Sequence, residues 1–171
     1  MANAAIDSHF KRKQRWMASH VQDAKFPTKE SLEGHSLYQK TERLPVEHNN
    51  SQENTDLNLT FHRVDCHPLM IRYAVTLSKA WPETQRPLIL EYLSQVSLTD
   101  QEVENNTKIA LYLATQDGMP VGVGMLFESL EDQDWVSGIY DITAENSDIS
   151  NAMLHFLIRR AEAKSVVCSP M

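Results

Sequence analysis

The stretch "YLATQDGMPVGVGMLFES", residues 112–129, constrains the fold of this chain more than any other. Two apolar runs flank Asp117-Gly118, and that dipeptide supplies the positive φ a two-residue hairpin turn needs. Gly122-Val123-Gly124 has the look of a loop that cradles phosphate. Such a loop opens a helix, whereas this one continues as apolar strand. The glycines therefore read as strand positions against which another element packs closely. The pattern predicts strands over 108–116 and 120–129, paired at the centre of a sheet.

The elements around this hairpin follow from periodicity. Residues 3–22 read as a helix with Ile6, Phe10, Met17 and Val21 on one face and Trp16 beside them. Lys11, Arg12, Lys13 and Arg15 form its basic shoulder, read as a solvated charged face rather than a membrane or partner surface. Residues 23–56 are polar and broken by Pro27, Gly34 and Pro45, so 1–56 reads as a helix plus polar linker and 57–171 as the folded domain. Within that domain "LNLTFHRVD" (57–65) alternates as a strand. Helices are predicted over 67–81 and 86–96, each with a proline near its start. Thr99 and Glu102 have capping-box spacing for a further turn. "WVSGIYDITAE" (135–145) is a strand, 147–164 a helix capped by Ser147 or Asp148, and "SVVC" (165–168) a last short strand.

Charge limits the partners. Residues 1–55 carry eight Lys/Arg against seven Asp/Glu, whereas 56–171 carry eight against sixteen. An acidic body disfavours nucleic acid, whose phosphates call for clustered cations. No apolar run reaches the ~18 residues of a membrane span, and Met1 to Phe10 lacks the apolar core of a secretory leader. A cytoplasmic protein with free Cys66 and Cys168 is the expectation.

The order strand, two helices, hairpin, strand, helix, strand over residues 57–168 resembles the GNAT (GCN5-related N-acetyltransferase) fold. "LYLATQDGMPVGVGMLF" is similar to that family's second and third strands, "WVSGIYDITAE" to its fourth, and "ISNAMLHFLIRRAEAK" to the helix after it. The resemblance implies an α/β, GNAT-like fold: a mixed, mostly antiparallel sheet flanked by helices. It also implies that the fourth and fifth strands splay and admit the pantetheine arm of acetyl-CoA. The pantetheine strand would then be Ile142, Thr143 and Ala144. The pyrophosphate would meet the helix start at Ser147, Ser150, Asn151 and Ala152. The family's basic or amide residue and its glycine there are replaced by Ser147 and Ser150, and Asp148 adds a negative charge. The family's further helix and strands have no counterpart after residue 168; residues 1–56, a second subunit or further chain are the alternatives.

Acyl transfer to an amine needs a base. The candidates are Asp141 on the fourth strand and Glu128 at the end of the third, with Tyr140 as a possible acid toward the leaving thiolate. Strand alternation places Asp141 and Thr143 on one face and Tyr140 and Ile142 on the other. His62, Asp65, Cys66 and His67 are metal-competent types, but the alternation divides them and no second cluster matches, so no metal is expected. The leading expectation is an acetyltransferase acting on acetyl-CoA and an amine. The alternatives are a silent GNAT-like module that binds a protein partner, and a structural homodimer that exchanges helix 3–22.

Overall fold

The computed structural model describes residues 2–49, 56–96, 106–163 and 165–170. The elements are α1 (Ala2–Gln22), α2 (Lys29–Thr41), β1 (Val46–Glu47), β2 (Thr60–Arg63), α3 (His67–Ser78), α4 (Arg86–Leu93), β3 (Thr107–Gln116), β4 (Met119–Glu131), β5 (Asp134–Ala144), α5 (Ser147–Arg160) and β6 (Ser165–Cys168). The expected turn at Thr99 to Glu102 lies outside the described residues. Trp81 belongs to the turn after α3 rather than to the helix.

One six-stranded sheet runs in the order β1-β6-β5-β4-β3-β2. Its pairs are antiparallel except β5 with β6. The β3–β4 hairpin turns on Asp117 (φ 51°) and Gly118 (φ 78°), the two positive φ values that match a tight turn to twisted strands. Apolar residues alternate across the sheet to feed two layers. Ile109, Leu111, Leu113, Val123, Met125 and Phe127 face a large core shared with α1 to α4. Tyr112, Ala114, Val121 and Ile139 face α5, which lays Ile149, Met153 and Leu157 on them. Both faces of β3 and β4 are covered, which is why these strands read as near-continuous apolar runs.

The glycine at the hairpin's centre is explained by α5. A Cβ on Gly124 would stand 2.7 Å from Leu157 Cδ1 and 3.0 Å from Met153 Cγ, so its absence lets the helix settle onto the strand. Asn146, rather than Ser147 or Asp148, caps α5: its backbone is extended and its side-chain oxygen accepts the Ile149 N–H at 2.9 Å.

The N-terminal segment is built into the same core. The polar stretch expected over 23–56 contains α2, capped by Thr28 and packed on α4. Gly34, which reads as a breaker, sits inside α2 because a Cβ there would overlap the Leu88 carbonyl oxygen; α2 and α4 meet backbone to side. β1 then pairs antiparallel with β6, Val46 opposite Cys168 and Glu47 opposite Val167, so a strand from residues 1–56 does extend the sheet. The basic shoulder of α1 is only partly solvated. Lys11 and Arg15 are exposed, Arg12 pairs with Glu131 at 2.8 Å, and Lys13 is 2% exposed. No helix among the described residues is long and apolar enough to cross a membrane.

Candidate functional site

β5 and β6 run side by side only as far as Ile139 opposite Cys168, and a last bond ties Ser169 N–H to the Ile139 carbonyl at 2.9 Å. β6 ends at Cys168, while β5 continues to Ala144 paired with β4. A cleft of about 400 Å³ lies beside the end of this pair. Tyr140, Asp141, Ile142 and Thr143 line one wall, Cys168 and His48 another, and Trp81 and Leu77 close it from the side of α3.

A β-bulge shapes the wall. Val123 pairs with Thr143 and Met125 with Tyr140, so Asp141 and Ile142 together oppose Gly124. Asp141 takes φ 59°, a left-handed conformation that aspartate tolerates better than most residues. A bulge re-aims side chains. Regular alternation would separate Asp141 from Tyr140; with the extra residue both reach the face covered by α1 and α2. Tyr140 stacks on His9 and Phe10, while Asp141 accepts a 2.7 Å hydrogen bond from Tyr38. Ile142 and Ala144 turn to the opposite core, beside α5.

His48 Nε2, Trp81 Nε1 and the Tyr140 hydroxyl are buried and lack a hydrogen-bond partner among the described residues, and all three residues line the cleft. Trp81 is 7% and Tyr140 2% exposed. Buried donors are rarely left unmatched, so this group calls for a ligand or ordered water. Burial pushes the Tyr140 hydroxyl far above the usual tyrosine range, and the Asp141 and Glu42 carboxylates push the same way. Burial likewise holds the Cys168 thiol up at about 11.

The remaining sequence candidates fall elsewhere. Glu128 does not reach the cleft. It is 6% exposed, accepts a hydrogen bond from the Ser137 hydroxyl, and accepts the Glu162 N–H at 3.1 Å, so it secures the chain after α5. Ser147, Ser150, Asn151 and Ala152 occupy the first turns of α5, whose Ile149 amide is already taken by Asn146 and whose exposed Asp148 adds negative charge. Among the described residues no group of three or more His, Cys, Asp or Glu could hold a metal ion. Trp81 and His48 were not legible as site residues: one follows a helix end and the other follows a two-residue strand.

A mostly antiparallel sheet with one parallel pair and a bulged β5, followed by a helix on the opposite face, is the layout the sequence resemblance implies. The fold is GNAT-like. No family model and no curated protein matches the chain. Among solved structures, glucosamine-6-phosphate N-acetyltransferase from Arabidopsis thaliana is similar over 66% of this chain and 83% of its own, at 10% identity and a TM-score of 0.48. An acetyltransferase of Trypanosoma brucei is similar over 67% of this chain and 84% of its own, at 15% identity and a TM-score of 0.47. A transcriptional regulator from Bacillus halodurans C-125 is similar over 67% and 83%, at 15% identity and a TM-score of 0.48. These likenesses concern fold alone.

Proposed function

We propose that the chain is a GNAT-type N-acetyltransferase that moves an acetyl group from acetyl-CoA to an amine, with the acyl end seated between β5 and β6. The observation that carries this reading is the cleft at the end of the parallel pair, beside a bulge that presents Asp141. Acetyl-CoA, when bound, supplies an acyl thioester whose carbonyl carbon accepts an amine.

The residues suit such a group at its acyl end. Past Ile139, β5 has no pairing to β6, and the backbone of Ile142, Thr143 and Ala144 would pair with pantetheine amides as a strand would. The unmatched Trp81 N–H and Tyr140 O–H need acceptors, which amide or thioester oxygens provide. With acetyl-CoA bound, Asp141 would take one proton from the substrate ammonium and free the nitrogen lone pair for the C–N bond; the second proton that nitrogen loses would pass to the sulfur, which leaves with the C–S bonding pair as thiol. Tyr140 holds its proton too tightly to surrender it to that sulfur, so it serves as a hydrogen-bond donor. Burial holds the Cys168 thiol up at about 11, which disfavours the thiolate that would take the acyl group and favours direct transfer to the amine.

The nucleotide end suits the chain less. At Ser147, Ser150, Asn151 and Ala152 the α5 N-terminus is partly self-capped, and Asp148 opposes an anion there. The pantetheine arm, not the pyrophosphate, then supplies most of the affinity. This same feature favours the second reading, a GNAT-like module that acts through a protein partner without turnover. Both cysteines are free, in keeping with a reducing compartment. Calorimetry with acetyl-CoA is the test, followed by an amine screen for free CoA. No binding up to ~1 mM, a limit near −4 kcal/mol, overturns the acetyltransferase reading. Binding without CoA release on any amine selects the silent module.

A further inference from the structure

Asp141 is held by residues from outside its own sheet. Lys13, on α1, is 2% exposed, and lysine is almost never buried so deeply unless paired. Its ammonium donates to Glu42 Oε2 at 3.0 Å and to the Tyr38 hydroxyl oxygen at 2.6 Å. Tyr38 in turn donates to Asp141 Oδ2 at 2.7 Å. The same ammonium lies 4.7 Å from the centre of the Tyr38 ring and 4.8 Å from that of Tyr140. One buried cation thus touches both aromatic residues that flank the Asp141 carboxylate.

Pairing with Glu42 is enough to account for a buried lysine. It does not account for the second bond, which spends a proton of the ammonium on a neutral hydroxyl. That bond fixes the direction of the Tyr38 O–H: with its oxygen accepting from Lys13, the hydroxyl can only point onward to Asp141. Successive bonds of this kind also polarise one another in a low-dielectric interior. Tyr38 remains a donor throughout, since burial first, and then Asp141, push its hydroxyl well above the usual tyrosine range. Other groups near Asp141 are Tyr73 from α3, Tyr92 from α4 and Tyr140 on its own strand, and each keeps its proton for the same first reason.

We propose that Tyr38 and Lys13 are positioning residues of the cleft: the chain Glu42–Lys13–Tyr38 holds the Asp141 carboxylate in a single orientation, and helices α1 and α2 complete the site. The inference rests on the reading of Asp141 as the group that meets the amine. It gives a reason for the packing of α1 and α2 against the sheet, and it makes the first two helices part of the chemistry rather than an appendage.

The test uses the full chain and a readout that needs no substrate. Isotope-edited infrared spectroscopy with labelled aspartate isolates the Asp141 carboxylate stretch as the band lost in Asp141→Asn. In Tyr38→Phe, and in the double variant Lys13→Met/Glu42→Gln, that band is expected to shift and broaden. The double variant removes cation and anion together and so strands no buried charge. Where an amine substrate is in hand, both variants are expected to lower kcat at least tenfold with acetyl-CoA affinity unchanged. A stapling role alone would alter melting and leave the band in place. An unmoved band in a folded Tyr38→Phe, or in the folded double variant should Tyr38→Phe not fold, overturns the proposal. Absence of acetyl-CoA binding would sink the acetyltransferase reading while leaving this result intact.

Discussion

The hydroxyl of Tyr38 donates a 2.7 Å hydrogen bond to the carboxylate of Asp141, 103 positions away in the chain. It joins the second helix to the bulge that lines the cleft. Asparagine tolerates left-handed backbone about as well as aspartate, so Asp141→Asn keeps the bulge at φ 59° and removes only the base. CoA release with an amine is expected to fall about 10²-fold or more, with acetyl-CoA binding unchanged. An unaltered rate would take Asp141 out of the mechanism.

Substitution at the hairpin's centre tests the packing of α5. In Gly124→Ala the new methyl meets Leu157 Cδ1 at 2.7 Å and Met153 Cγ at 3.0 Å. Both are parts of flexible side chains that can yield, so a loss of about 1–2 kcal/mol is expected in urea unfolding. No loss would mean that α5 does not sit as closely on β4 as described.

Gly34→Ala is the harsher case. There the added methyl meets the Leu88 carbonyl oxygen, which is backbone and cannot rotate away. The helices α2 and α4 must separate, at a cost of about 3 kcal/mol by the same measurement. A neutral substitution would show that α2 is not docked on α4.

Stability should fall on mild acidification through His9. This residue is 0% exposed, and burial pulls its imidazole down to about 4, with Glu131 opposing and Lys13 and Arg12 assisting. A histidine lowered on folding binds fewer protons folded than unfolded. Its contribution is therefore fully present above pH 6.5 and is lost as pH falls toward about 4. Between pH 6.5 and 5 the expected loss is about 2 kcal/mol. In His9→Leu the baseline stability drops, because Ser129 loses its 2.7 Å partner, but the slope over that interval flattens. An equally steep slope in the variant would assign the pH dependence to another group.

The start of α5 offers a gain of function. Asp148 lies exposed in its first turn, where negative charge favours the helix and repels an incoming phosphate. Asp148→Lys is expected to tighten acetyl-CoA binding roughly fivefold, about 1 kcal/mol, and to make it more sensitive to salt. Acetyl-pantetheine, which lacks the nucleotide, should bind the variant and the parent alike. An equal gain for both ligands would show that the phosphates do not approach this helix.

What the sequence determined by itself is local. Asp117-Gly118 specifies a turn through φ preferences that depend on two residues alone, and that turn brings the apolar runs on either side together as a pair. The helices α3, α4 and α5 follow from an apolar period that each carries within its own residues, and the α/β order follows from their succession. Helix α2 carries no such stripe: its buried positions are Ser31, Gly34, His35 and Tyr38, of which only the last is a large nonpolar surface. It is stable because Gly34 admits the backbone of α4, a partner more than fifty positions away.

The site was decided by tertiary structure. Asp141 was legible as a strand carboxylate, but the bulge that turns it is a mismatch between two strands and belongs to neither sequence alone. Lys13 read as one of four basic residues on a solvated helix face; burial selects it from Lys11, Arg12 and Arg15 because Glu42, Tyr38 and Tyr140 converge around its ammonium. Trp81 and His48 line the cleft only because the fold brings them to the end of the β5–β6 pair. Turn and helix preferences are short-range energies that a sequence carries with it, whereas the pairing of a buried charge depends on which distant groups the fold brings within hydrogen-bond reach.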